Sequence, residues 1–115
     1  MHYTRIYADD YGESHFEIIA IPLEDNGIIG SLSDNFAVRS LQFRENGPDY
    51  SWDFHTAPSK QFIVLLDGEI EITTSLGETR QFGSGDILLV EDTYGKGHKT
   101  QNIKKQSRKS IFVKL

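Results

Sequence analysis

The sequence predicts an all-β barrel or sandwich folded as one domain. No stretch carries a helical apolar stripe over three turns. Short apolar or alternating runs instead recur with a turn signal about every eight to twelve residues, and the most apolar run, Phe62 to Leu66, has strand length. A chain of 115 residues suits a single domain. On folding, such a domain removes roughly two-thirds of its unfolded surface from water, enough for one core without staples.

Tyr3 to Tyr7 reads as a short strand before the turn-rich Ala8 to Gly12. Phe16 to Leu23 is a better strand, with Pro22 near its end marking a sheet edge. Asp25-Asn26-Gly27 is a turn, and Phe36 to Arg44 alternates loosely without a helical stripe. Glu45 to Asp49 holds Asn, Gly, Pro and Asp together and reads as a loop. Phe62 to Leu66 is expected to be buried on both faces. After the Asp67-Gly68 turn, Glu69 to Thr74 alternates, with Ile70 and Ile72 inward. Ser75 to Glu78 closes a hairpin into Thr79 to Phe82. Ile87 to Val90 is a buried strand, and Thr100 to Ile103 and Ser110 to Leu115 finish the chain. Residues 1–35 are expected as N-terminal strands packing on the barrel or across a dimer, and 36–115 as the barrel.

With no cysteine, disulfides, thiolate metal sites and thiol nucleophiles are excluded. The N-terminus has no secretory pattern and the apolar runs are too short to span a bilayer, so a soluble cytoplasmic protein is the expectation. Net charge is −5, unevenly spread: from Thr93 onward there are seven basic residues and no acidic one. Such a tail suits either nucleic acid or an exposed edge strand whose lysines discourage sheet pairing. The edge strand is the expectation, since no aromatic interleaving or helix-turn-helix pattern accompanies the charges.

Two segments share a grammar. The first runs through His55, Ala57, Gln61 and Gly68; the second through Gly85, Ile87 to Val90, His98 and Asn102. These spacings resemble the two motifs of the cupins, the small double-stranded β-helix or jelly-roll barrels of RmlC-like type, and the likeness covers about residues 36 to 115. The resemblance implies a barrel cavity, homodimerisation, and one divalent metal (iron, manganese, nickel or zinc) held by three histidines and a glutamate. In this chain Ala57 and Gln61 stand at two of those positions, so a metal held by His55, His98 and Gln61 and a metal-free site are equal alternatives. The longer stretch Glu91 to Gly97 also precedes His98 where the family has a shorter turn.

Residues 53, 55, 57 and 61 share parity, so an unbroken strand would turn Asp53, His55 and Gln61 to one face, with His98 converging on them. Pro58 is a candidate bulge position. Asp53, Glu91 and Asp92 are the carboxylates available to complete a metal site. His98 and Asp92 are the candidate catalytic pair, with Asp92 as general base or fixing the histidine tautomer. His55, Gln61, Trp52 and Lys96 are the candidate ligand contacts, Lys96 sitting at the barrel mouth where it would attract an anion. The function expected is binding of a polar, anionic or sugar-like small molecule, with isomerisation or epimerisation as the preferred chemistry. The alternative is a non-catalytic binding or interaction module with a barrel filled by side chains. No membrane partner is expected.

Overall fold

A computed structural model describes residues 1–115 and contains twelve strands and no α-helix. The strands are β1 (His2–Ala8), β2 (Ser14–Ala20), β3 (Glu24–Asp25), β4 (Ser31–Leu32), β5 (Ser40–Asn46) and β6 (Ser51–His55), followed by β7 (Gln61–Leu65), β8 (Glu69–Thr73), β9 (Thr79–Gly83), β10 (Ile87–Val90), β11 (His98–Asn102) and β12 (Arg108–Lys114). One six-stranded sheet runs β2-β1-β10-β7-β12-β5, and a four-stranded sheet runs β6-β11-β8-β9. β3 and β4 form a separate small ribbon around a 3-10 turn at Gly27–Ile29. No helix is long and apolar enough to cross a membrane.

The two sheets face each other, and alternation decides what fills the space between them. Ile6, Phe16, Leu65 and Phe82 close one part of the interior, while Ile70, Ile72, Leu88 and Val90 wall the other. Each such side chain taken fully out of water contributes about 1.5–3 kcal/mol. The N-terminal strands belong to the larger sheet: β1 pairs in parallel with β10, Ile6 opposite Val90, and antiparallel with β2. Strand β2 is an edge, and Pro22 lies just beyond it.

Two expectations need correction. Strand β7 is internal, yet only its ends are fully buried. Phe62 and Val64 point outward and are half-covered, Phe62 by the edges of the Tyr3 and Phe36 rings. The basic C-terminal segment is not an edge strand, because β12 lies between β7 and β5. Three of its lysines are partnered from elsewhere: Lys104 with Glu69 and Lys109 with Asp67, while Lys96 pairs with Glu13. A charge imbalance along the sequence thus becomes mixed in space.

Candidate functional site

The site begins with a fault in a ladder. His98 pairs with His55 but Thr100 pairs with Trp52, so three residues of β6 are set against two of β11. The extra residue reverses the facing of what precedes it. Trp52, rather than Asp53, therefore shares the inner face with His55, and the two rings stack 3.5 Å apart at 4°. The parity expected to bring Asp53 inward fails at this bulge. Asp53 is exposed and takes part through its backbone: its carbonyl accepts a hydrogen bond from His55 Nδ1 at 2.8 Å. A carbonyl has no proton to give, so Nδ1 carries the hydrogen and Nε2 of neutral His55 is left as an acceptor.

His98, on the neighbouring strand, is buried, and its ring centroid lies 4.7 Å from that of His55. Its Nδ1 sits 2.5 Å from Asp92 Oδ2. Asp92 is 0% exposed and anchored on both sides, its carbonyl accepting from Ala57 N–H and the adjacent Glu91 N–H donating to Ile6. The carboxylate fixes the proton on Nδ1 and leaves Nε2 of His98 with its lone pair free. Asp92 does not itself line the cavity; it stands behind His98 and acts through it.

Gly97 makes the close approach possible. It has φ +71°, and a Cβ built there would lie 2.0 Å from the carbonyl oxygen of His55. The Glu91 to Gly97 stretch is therefore a packing junction rather than a barrel mouth. Gly95 meets Gly12, Ser14 Oγ donates to the Gly97 carbonyl, and Tyr94 reaches the Ala8 carbonyl. Lys96 is held on Glu13 and does not reach the cavity. Glu91 is taken by Arg5 at 3.0 Å and by Lys60 at 3.7 Å.

Between the sheets lies a cavity of about 180 Å³, bounded by Trp52, His55, Gln61 and His98 among its polar walls and by Ile63, Ile70, Ile72, Leu88 and Val90 among its apolar ones. That is room for a small molecule rather than one water. Gln61 lines it while 97% buried, and its Oε1 has no hydrogen-bond partner. Of the residues singled out in the sequence, Trp52, His55, Gln61 and His98 converge here and Asp92 supports them, whereas Asp53, Glu91 and Lys96 lie elsewhere. Three further cavity residues escaped the sequence reading: Arg44, Thr100 and Arg108. The inward Phe112 was the available signal, because parity along β12 turns Ser110 and Arg108 the same way.

Burial pushes the His55 imidazole below its ordinary value. The bond to the Asp53 carbonyl works against this, the neighbouring His98 adds to it, and Asp92 opposes it.

The donors do not fit the metal site that the cupin resemblance implies. Two imidazole nitrogens and one neutral amide face the cavity, with no anionic ligand beside them to offset a divalent charge. No group of three His, Cys, Asp or Glu side chains is placed to hold a metal ion. Asp92 does not line the cavity, and its Oδ2 is engaged by His98 Nδ1.

Known structures of similar shape identify the fold. The chain resembles a cupin superfamily protein from Desulfitobacterium hafniense over 72% of each chain, with a TM-score of 0.53 and 17% identity. It resembles the Schizosaccharomyces pombe Cnp3 cupin domain with a TM-score of 0.54 and 14% identity, over 87% of this chain and 70% of that one. Drosophila melanogaster CENP-C bound to CAL1 gives a TM-score of 0.51 and 14% identity, over 81% of both chains. The chain thus has the cupin fold, a jelly-roll barrel in a single domain. No protein-family model and no curated protein matches its sequence.

Proposed function

We propose that this cupin binds a small polar molecule in its barrel and moves a proton on it, as in isomerisation or epimerisation. The observation that carries this is the Asp92–His98 pair. A buried carboxylate holds the imidazole so that Nε2, the basic nitrogen, is the one left for the cavity. A ligand hydrogen transferred to Nε2 makes an imidazolium that Asp92 stabilises, and the same nitrogen can return it. Gln61, with an unpaired oxygen, supplies an acceptor for a ligand hydroxyl or N–H. The Trp52–His55 stack offers a flat wall to an aliphatic or sugar face. This chemistry uses no metal, in keeping with the donor set.

Trp52 is the sole tryptophan and lines the cavity, so its fluorescence reports occupancy directly. A panel of small polyols, sugars and hydroxy acids is expected to yield ligands that change this emission. Bound ligands with an acidic C–H should exchange it for deuterium in D2O, followed by NMR, and His98→Ala should abolish the exchange. A panel without effect on Trp52, or exchange unaltered in His98→Ala, would overturn the reading.

A second reading, interaction rather than chemistry, is favoured by the outer face of the larger sheet. Leu41 and Phe43 of β5 point outward beside Ile111 and Val113 of β12, and Phe43 is 77% exposed. The segment before them also presents Ile28, Ile29, Leu32, Phe36 and Val38 to solvent. The occupant that fits is a second copy of this chain, since an uncovered apolar arm and an uncovered apolar face on one molecule can cover each other across a twofold axis. That CENP-C, of similar fold, is found bound to CAL1 gives a precedent for this barrel as an interaction module. The two readings are compatible, because face and cavity lie on opposite sides of the same sheet.

A further inference from the structure

The cavity has a second polar end that the proton-transfer chemistry leaves unused. Arg108 of β12 and Arg44 of β5 both line it, together with Tyr50. Arg108 is only 4% exposed, which is rare for a guanidinium without a counter-charge. Its one hydrogen bond, from Nε, goes to the neutral amide oxygen of Asn102 at 3.1 Å, and its guanidinium carbon lies 4.8 Å from the Tyr50 ring centre. Arg44 lies over the Phe112 ring at 3.7 Å and donates to Gln42 at 3.1 Å. Neither arginine forms an ion pair with any carboxylate, although the chain has seventeen acidic side chains and uses several to pair surface lysines.

Removing a cation from water without a counter-charge is costly, and a bound anion would supply the counter-charge that the chain does not. The fold holds it deliberately. Gly68, at φ +71°, leaves the space that the Arg108 stem occupies, since a Cβ there would come within 2.7 Å of Arg108 Cβ. Burial lowers the guanidinium's hold on its proton. Tyr50 opposes that shift, the neighbouring Arg44 adds to it, and Asp67 opposes it. The two arginines therefore sense each other across a partly dry site in which neither is ion-paired.

We propose that Arg44, Arg108 and Tyr50 form an oxyanion seat, which makes the ligand of this barrel a small organic acid, its carboxylate or phosphate at this end and its reactive carbon toward His98. The inference rests on the cavity being a ligand site and specifies the ligand's class. A guanidinium presents paired N–H donors that match a carboxylate or phosphate edge, and a phenol hydroxyl adds a third donor. The unpaired Gln61 Oε1, elsewhere in the same cavity, supplies an acceptor for a hydroxyl that such an acid carries.

The test compares matched ligands by Trp52 fluorescence and by amide NMR shifts: small hydroxycarboxylates, phosphate monoesters of similar size, and the neutral amide or alcohol analogue of each. Acids are expected to bind at least about tenfold more tightly than their neutral analogues. Arg44→Gln, at a half-exposed position, should erase most of that difference by weakening the acids far more than the neutral analogues. Arg108→Lys keeps the charge but loses the fork, and, with an unchanged amide NMR spectrum as the check on folding, should weaken acids in the same way. The carboxylate and phosphate arms decide which oxyanion the seat takes. Equal affinity for acids and neutral analogues, or an advantage unchanged in both variants, overturns the seat while leaving the cavity reading in place. No ligand of either kind reaching Trp52 overturns both.

Discussion

Asp92 lies wholly out of solvent with one oxygen on His98 and the other unpartnered, so its contribution can be dissected by exchanging charge for shape. Asp92→Asn keeps the volume but presents an amide that can drive His98 into the other tautomer. Proton exchange on bound ligand is expected to fall by about a hundredfold or more, with ligand affinity changed little. An equal loss in both quantities would mean that Asp92 only shapes the cavity. Removing the partner outright in Asp92→Ala should cost about 1–3 kcal/mol of stability, measured by urea unfolding. His55 yields a pH prediction. Its folded-state affinity for protons is lowered, chiefly by burial, so near and below the ordinary value of 6.5 the unfolded chain binds the proton more readily. Stability from this group is complete above that value and is lost as pH falls from about 6.5 toward the lowered folded value. The melting temperature of the wild type, measured against His55→Gln, should accordingly drop on acidification from pH 7 to 5. A constant difference across that range would contradict the shift.

At the level of elements, the bulge between β6 and β11 and the turn at Gly97 act together. The bulge puts Trp52 and His55 on one face, and Gly97 lets the returning chain pass against the His55 carbonyl. Gly97→Ala introduces a Cβ into occupied space at a left-handed backbone position. A loss of about 1–3 kcal/mol or more is expected from that conformation alone, with a shift in Trp52 emission as the stack with His55 is disturbed. An Ala variant with unchanged melting and unchanged emission would show that the junction is looser than its geometry implies. Gly77, in the turn between β8 and β9, is also at positive φ but with nothing near its missing Cβ and is the control: alanine there should strain the turn without touching the cavity.

For the whole molecule, the distribution of apolar surface matters more than its amount. The larger sheet is apolar on its inner face, where the core lies, and again on its outer face, at Phe62, Leu41, Phe43, Ile111 and Val113. Residues 23–43 all remain exposed to solvent in large part. A chain of 13.1 kDa is therefore expected to sediment as a dimer of about 26 kDa, and Phe43→Glu, on the outward side of an edge strand, should return it to the monomer with its cavity intact. A monomeric wild type at micromolar concentration would leave this face without the partner assigned to it. The paired lysines bear on the rival idea of nucleic-acid binding. Lys96, Lys104 and Lys109 each face a carboxylate, which offsets three of the seven positive charges of the basic tail.

By itself the sequence determined the class of fold, the turn positions and most of the strands, because period-two alternation and Gly-Asp-Asn turns are local signals that need no partner to be read. It also singled out His55, Gln61, His98, Asp92 and Trp52, since motif spacing is a property of the chain. What only the tertiary structure decided is which way each of these faces and what stands beside it. The bulge exchanged Asp53 for Trp52, since one extra residue on one strand reverses a parity that sequence counting takes as unbroken. Glycine contacts at positions 12, 95 and 97 turned the 91–97 stretch into a junction and carried Lys96 away to Glu13. The arginine end of the cavity was hidden for the same reason: Arg44 and Arg108 are sixty-four positions apart in sequence and meet only because β5 and β12 are neighbours in the sheet. Backbone periodicity is written residue by residue, whereas a site is made by pairing register, and register is decided between strands.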